Sequence, residues 1–311
     1  MDGRVSNAAT TEPAEAVASL LVKSTELEPW QQDHHIRTGH RRRTDSYARC
    51  IESIWAWHNE TINIHTHLWA SLFFLWLLLV NVVYPVTPTS GASLIYPLRS
   101  SDLTSLTMAD SIVFSIFLCG AILCLGFSAT FHCCSCHSPH VCAALNRMDH
   151  LGIVVLIVAS FCPALFYGFY CEPHWQTLYI GGMATLGLCT AYAVYAPRFR
   201  SPAMKRHRAY LFISLGLSGV APVTHALLKH GWEQSNKAFG LQWLLLEGLL
   251  YIGGALLYAE RWPEISHPVQ FDTFGSSHQI FHILINLAAW SHWVGIVQAL
   301  RYRHQQLQGL C

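Results

Sequence analysis

The chain has 311 residues, 52% hydrophobic and only 12% charged, with a formal net charge of +1. Soluble proteins average about 25% charged residues, so this composition excludes an ordinary soluble domain and places the chain in the membrane class. The near-zero net charge implies no nucleic-acid partner, and eleven cysteines, an odd number set mostly in or beside apolar runs, do not read as a secreted disulfide framework.

Residues 1–27 are polar, rich in Ala, Thr, Ser and Glu, and are expected to be a disordered cytosolic tail. No signal peptide is read in them, because residues 1–20 lack an apolar core behind a basic start. Residues 28–67 form a cytosolic and interfacial segment. It opens with Glu28-Pro29-Trp30 and the basic run His40-Arg41-Arg42-Arg43. Within it, Cys50 to Asn63 carries Trp55 and Trp57 and is expected to be an interfacial amphipathic helix, since Trp favours the headgroup level.

Residues 68–303 hold seven apolar segments: Leu68–Val86, Ser111–Phe131, Leu151–Tyr170, Leu178–Ala196, Leu211–Leu228, Phe239–Ala259 and Ile280–Leu300. Each is long enough to cross a ~30 Å hydrocarbon core as a helix. The breaks between them are too short for a soluble domain, and no internal repeat is visible. Gly216, Gly219 and Pro222 interrupt the fifth. The predicted fold is therefore an all-α, seven-helix transmembrane bundle, multi-pass in the plasma membrane or an endomembrane.

Lys and Arg set the orientation. With a cytosolic N-terminus, twelve fall inside (Arg37 to Arg49, Arg147, Arg198 to Arg208 and Arg261) and five outside (Arg99, Lys229, Lys237, Arg301 and Arg303). This predicts the N-terminus in and the C-terminus out. The same orientation brings the end of the second span, at His132, to the depth of Asp149 before the third. The start of the seventh, at His278 and His282, lies at that depth too.

Ionisable groups at membrane depth are costly and usually face a partner or a cavity. His278 and His282 are four apart, so on a helix they share a face and can address one metal ion. Gln279 stands where an H-E-x-x-H zinc site would have its glutamate. A catalytic zinc usually takes three protein ligands and a water; His132 is the expected third. Its bland alternative is an interfacial histidine at a helix end, and that of the pair is two polar residues facing the bundle interior. Ser128 lies one turn before His132 on the same face. Asp149 is read as the carboxylate that orients or deprotonates a water on the metal. A fourth direct ligand and a helix N-terminal acid are the alternatives.

The run from Cys133 to His140 suits a second metal, acyl chains on juxtamembrane cysteines or a plain reduced loop. Glu247, mid-way along the sixth span, is expected to face the interior. His225, Asn63, His65 and His67 are assigned to structure; His65 and His67 are two apart and cannot share a helical face.

At these residues the chain resembles the progestin and adipoQ receptor family, which includes the adiponectin receptors and the haemolysin III-related proteins, and it is similar to fungal members. The stretches that carry the resemblance include Glu28-Pro29-Trp30, Glu60-Thr61-Ile62-Asn63-Ile64-His65-Thr66-His67 and Ser128-Ala129-Thr130-Phe131-His132. Others are Cys136-His137-Ser138, Asp149-His150-Leu151-Gly152, Tyr258-Ala259-Glu260-Arg261-Trp262-Pro263-Glu264 and Ser277-His278-Gln279-Ile280-Phe281-His282. The resemblance implies seven helices with an inward N-terminus and zinc on His132, His278 and His282. It also implies that Asp149 contacts the water on zinc and that Ser128 belongs to the same S-x-x-x-H motif. It further implies ties to ceramide hydrolysis and to zinc and lipid metabolism. The chain departs from the family at His65, often Trp, at Glu247, usually apolar, and in the extra Cys133, Cys134 and His140.

Two functions from different classes follow. One is a zinc-dependent amide hydrolase acting on a ceramide-like lipid, with fatty acid as product. The other is a receptor with a structural zinc, answering an extracellular protein, a steroid or a lipid. A transporter would need a chain of polar groups through the membrane, which the sequence does not display beyond Glu247.

Overall fold

A computed structural model describes residues 21–83, 107–200 and 202–306. Most of the expected N-terminal tail, and the end of the first apolar segment at 84–86, lie outside the described residues. Among those described, seven helices are long and apolar enough to cross a membrane. The spans are α2 (Thr61–Val83), α3 (Met108–Cys134), α4 (Pro139–Gly168), α5 (Pro173–Tyr195), the pair α6 (Lys205–Leu217) and α7 (Val220–Phe239), α8 (Leu241–Glu260) and α9 (Ser277–Gln306). A short helix α1 (Tyr47–Glu52) precedes them.

Local chemistry sets the helix ends. Thr107 and Asp110 form a capping box at the start of α3, satisfying donors that the first turn leaves free. Proline opens α4 and α5, where its missing N–H costs nothing. As a result α4 begins at Pro139, twelve residues before its apolar segment, and carries Asp149 within the helix. The segment expected as one interfacial helix over 50–63 is instead α1, a 3-10 turn at Ser53–Trp55 and the first turn of α2. Trp55 is 85% exposed and Trp57 56%.

Helix α9 is the packing axis. It touches α2, α4, α7 and α8, and 56% of its span is buried against 11% for α5. Phe74, Phe114, Phe117, Leu118, Ile296 and Leu300 form the centre of the core around it. Gly240, at φ +64°, turns the chain between α7 and α8, and a Cβ there would lie 2.6 Å from the backbone of Gly295 on α9. Glycine is therefore required both for the left-handed turn and for the close approach.

The two ends of the bundle are tied differently. At the far end, Asp110 is fully buried and pairs with Arg303 and with His304 at 3.1 Å, while Tyr167 donates to it at 3.0 Å. A buried carboxylate is tolerable only when its lone pairs are used in this way. At the near end, the antiparallel strands β1 (Leu21–Val22) and β2 (His40–Arg41) close a loop over the helix ends. The carboxylate of Asp272 accepts from the backbone of Arg37 and Thr38 at 3.1 and 2.8 Å. Arg41 donates to the carbonyls of His132 at 2.6 Å and Cys133 at 2.8 Å. A cation there satisfies carbonyls that the end of α3 leaves free and favours the helix dipole.

Candidate metal centre

His132 sits in the last turn of α3, and His278 and His282 occupy the first two turns of α9. Capping at the start of α9 holds the latter pair: the buried carboxylate of Glu264 accepts from the backbone N–H of Ser277 at 2.7 Å and from its hydroxyl at 2.5 Å. An acid at a helix N-terminus is stabilised by the free N–H groups there. Gln279 points away from the pair. It accepts from Gly275 N–H at 2.6 Å and donates to Thr273 O and Asn59 O, which fixes the loop before α9 to the segment before α2.

The three imidazoles converge. Nε2 of His278 lies 3.0 Å from Nε2 of His132 and 3.2 Å from Nε2 of His282. One ligand atom from each of the three lies within 4.8 Å of the others, and this is the single such group of three or more donors among the described residues. His132 and His282 are buried, while His278 is half-buried and faces a cavity of about 320 Å³. That cavity is bounded by Asp33, Glu60, Tyr258 and Arg261, and the Asp33–Arg261 ion pair at 2.7 Å forms part of its wall.

The outer nitrogens set the tautomers. Nδ1 of His132 lies 2.7 Å from a carboxylate oxygen of Glu60, and Nδ1 of His282 lies 3.2 Å from the carbonyl of Asn63. Neither partner can donate, so both Nδ1 atoms carry a hydrogen, and in the neutral rings, the form that binds a metal, both Nε2 atoms present lone pairs inward. His278 Nε2 can donate to at most one of them. At least one lone pair then faces the triad without a proton, which is the donor arrangement that fits a metal cation. Glu60 also accepts from Asn63 Nδ2 at 2.6 Å. Burial pushes the Glu60 carboxyl upward, but the His132 ring and the Asn63 donor outweigh it and hold the group below the usual carboxylate range.

Ser128 is buried one turn before His132. Asp149 is half-buried on α4 and does not belong to the converging donor group. Tyr258 connects the two places: its ring centroid is 4.8 Å from that of His278, and it is within electrostatic reach of Asp149. Glu60 is the residue that sequence reasoning missed. It opens the Glu60-Thr61-Ile62-Asn63 stretch of the family motif, but nothing local tied it to a histidine 72 positions away. His67, outside the converging donor group, is stacked on His282 with ring centroids 3.6 Å apart.

The Cys133–His140 run does not add a second metal group among the described residues. Cys133, Cys134 and Cys136 are buried and pack with Cys50, whose sulfur is 3.7 Å from that of Cys136. Hydrogen bonding to Cys50, reinforced by burial, pushes the Cys136 thiol up, so it is a packed thiol and not an exposed acylation site.

The sequence profile of the haemolysin-III related family matches residues 55–293. The chain is 40% identical over 278 residues to the adiponectin receptor protein of Drosophila melanogaster, covering 89% of this chain and 59% of the relative. It is 35% identical to the progestin and adipoQ receptor-like protein 1 of Caenorhabditis elegans, covering 89% and 60%. It is 32% identical over 304 residues to the ADIPOR-like receptor IZH2 of Saccharomyces cerevisiae, covering 97% and 91%. The chain thus spans about 60% of the length of the fly and worm relatives.

Proposed function

This chain belongs to the haemolysin-III related family of adiponectin-receptor-like integral membrane proteins, and from that premise we propose that its histidine triad holds zinc and that the protein hydrolyses the amide of a ceramide-like membrane lipid. The observation that carries the reading is the inward convergence of the three Nε2 atoms, with the outer nitrogens of His132 and His282 pinned by Glu60 and Asn63. A zinc–nitrogen bond of ~2.0–2.1 Å and tetrahedral angles set ligand nitrogens about 3.3 Å apart. The 3.0 and 3.2 Å separations fit that spacing. Imidazole donors without a thiolate suit zinc.

Bound there, zinc would supply Lewis-acid polarisation of a carbonyl and a more acidic water. The remaining roles fall to the chain. Glu60 holds His132 in the tautomer that keeps its inner lone pair free. Asp149 is the proton acceptor in this reading, communicating with the cavity past Tyr258. Ser128 Oγ is the hydroxyl assigned to the developing oxyanion. The near end of the bundle would be cytosolic, so a lipid could present its amide at that depth and leave its chains in hydrocarbon.

A receptor with a structural zinc is the second reading, and two observations favour it. Asp149 stands apart from the donor group, and the relatives carry receptor names. The metal would then clamp α3 to α9, and an extracellular protein, a steroid or a lipid would shift the helices. Metal analysis of purified protein, combined with fatty-acid release from ceramides in bilayers, separates the readings. The hydrolase reading expects zinc and turnover in wild type and neither in His278→Ala. Full zinc with turnover no higher than in the variant moves the assignment to the receptor.

A further inference from the structure

The membrane interior of the bundle carries a second set of polar side chains that the metal centre does not use. Glu247 on α8 faces His292 on α9, with 2.8 Å between the carboxylate and Nδ1, and both residues are buried. A net charge at this depth is disfavoured, so the net-neutral pair is favoured over a charged one. Three neutral forms exist. In the ion pair, both ring nitrogens carry hydrogen. In one uncharged pair, the carboxylic acid donates to Nδ1 and the ring hydrogen is on Nε2. In the third, the carboxylic acid's other oxygen accepts from Nδ1–H and Nε2 is a lone pair; in every form Nε2 of His292 calls for a hydrogen-bond partner.

That nitrogen is buried and has no hydrogen-bond partner among the described residues. It is not alone. The hydroxyl of Tyr251, one turn after Glu247 and within its electrostatic reach, is buried and unpaired as well. Nearer the triad, Asn286 donates to Thr66 O at 3.1 Å but its own oxygen has no donor. Both nitrogens of His67, stacked on His282, are in the same condition. These atoms lie between the triad and the Glu247–His292 pair, over ten residues of α9, or about 15 Å of helix. Buried polar groups that find no protein partner are satisfied by ordered water.

Beyond the pair the core is closed by apolar side chains. The Phe117 ring covers His292 at 4.6 Å between centroids. Phe114, Leu118, Ile296 and Leu300, all buried, fill the space toward the Asp110–Arg303 network.

We propose that Glu247 and His292 form a second, metal-independent site, a proton-binding pair at the blind end of a file of bound water that begins at the histidine triad. Its ligands are water and the proton. In acid the pair takes one proton from water at the near end onto Nε2. The net-negative pair, in which Nδ1–H donates to the carboxylate and Nε2 is a lone pair, then becomes net neutral, and release returns that proton to the same water. Among the described residues, Tyr251 of α8 and, within its electrostatic reach, Cys124 of α3 are the titratable groups that neighbour the pair. The apolar plug makes the file a store and not a channel.

The test uses the full-length protein in lipid nanodiscs and reads water directly. X-ray hydroxyl-radical footprinting labels side chains that touch bound water. Tyr251 should be labelled several-fold faster than Tyr167, a buried tyrosine of the far-end network, and the excess should vanish in the double variant Glu247→Leu with His292→Phe. Infrared difference spectra between acid and alkaline buffer should contain carboxyl and imidazole bands that the isosteric Glu247→Gln removes. Equal labelling of Tyr251 and Tyr167, or a difference spectrum unchanged by Glu247→Gln, would overturn the proposal. Zinc content measured on the same samples keeps a failure of the metal centre separate, since the triad is untouched in these variants.

Discussion

Oε2 of Glu60 lies 2.7 Å from Nδ1 of His132 and turns the ring's other nitrogen toward His278. Outer partners of this kind are worth about 10–100-fold in metal affinity. Glu60→Ala should weaken metal binding by that amount, measured by chelator competition, and Glu60→Gln, which keeps an acceptor, should weaken it less. Equal affinity in wild type and Glu60→Ala would show that the carboxylate does not orient the ring.

The triad predicts one metal ion per chain. His132→Ala, His278→Ala and His282→Ala should each purify with strongly reduced metal by elemental analysis, because the imidazoles act together on one ion. Metal that binds only the folded state also raises the melting temperature. Chelation should therefore lower Tm in wild type and leave the three variants unmoved.

Asp149 should separate from the histidines. It stands outside the converging donors, so Asp149→Asn is expected to keep its metal. Under the hydrolase reading its lipid turnover falls by ~10²–10⁴-fold, the usual cost of losing a general base. Metal loss as deep as in the histidine variants would make Asp149 a direct ligand.

His58 predicts an acid-labile near end. Its Nε2 lies 3.1 Å from Ser53 O, and its Nδ1 accepts from Glu60 N–H at 3.1 Å. Protonating Nδ1 would set it against that N–H. Burial, and then the Arg41 cation, push the ring down to about 3, whereas an unfolded histidine titrates near ~6.5. Between these values the unfolded segment binds more protons, so stability rises with pH and is lost as pH falls through the window. Hydrogen-exchange protection factors over residues 47–60, which are corrected for the intrinsic pH dependence of exchange, should fall from pH 7 to pH 4, and His58→Gln should flatten that dependence.

The distribution of Lys and Arg predicts a cytosolic N-terminus and an outward C-terminus. A glycosylation tag should be modified at the C-terminus alone. Modification at the N-terminal tag would move the metal centre to the outer side.

The seven spans and the shared face of His278 and His282 were legible in the sequence, because hydrophobic length and the i, i+4 relation are properties of a single helix. The depth argument also brought His132 to the pair, since charge bias fixes which helix ends lie on one side. Helix ends were read less well: hydropathy marks the part of a helix that lies in hydrocarbon, whereas Pro139 starts α4 well before that part. Pairing between helices was decided only by tertiary structure. Glu60 against His132, Arg41 on the end of α3 and Glu247 against His292 depend on how each helix is rotated and tilted. Contacts such as Gly240 on Gly295 fix that rotation, and no local pattern encodes it. The same rotation leaves Asp149 within electrostatic reach of Tyr258 but outside the group of nitrogens that converge.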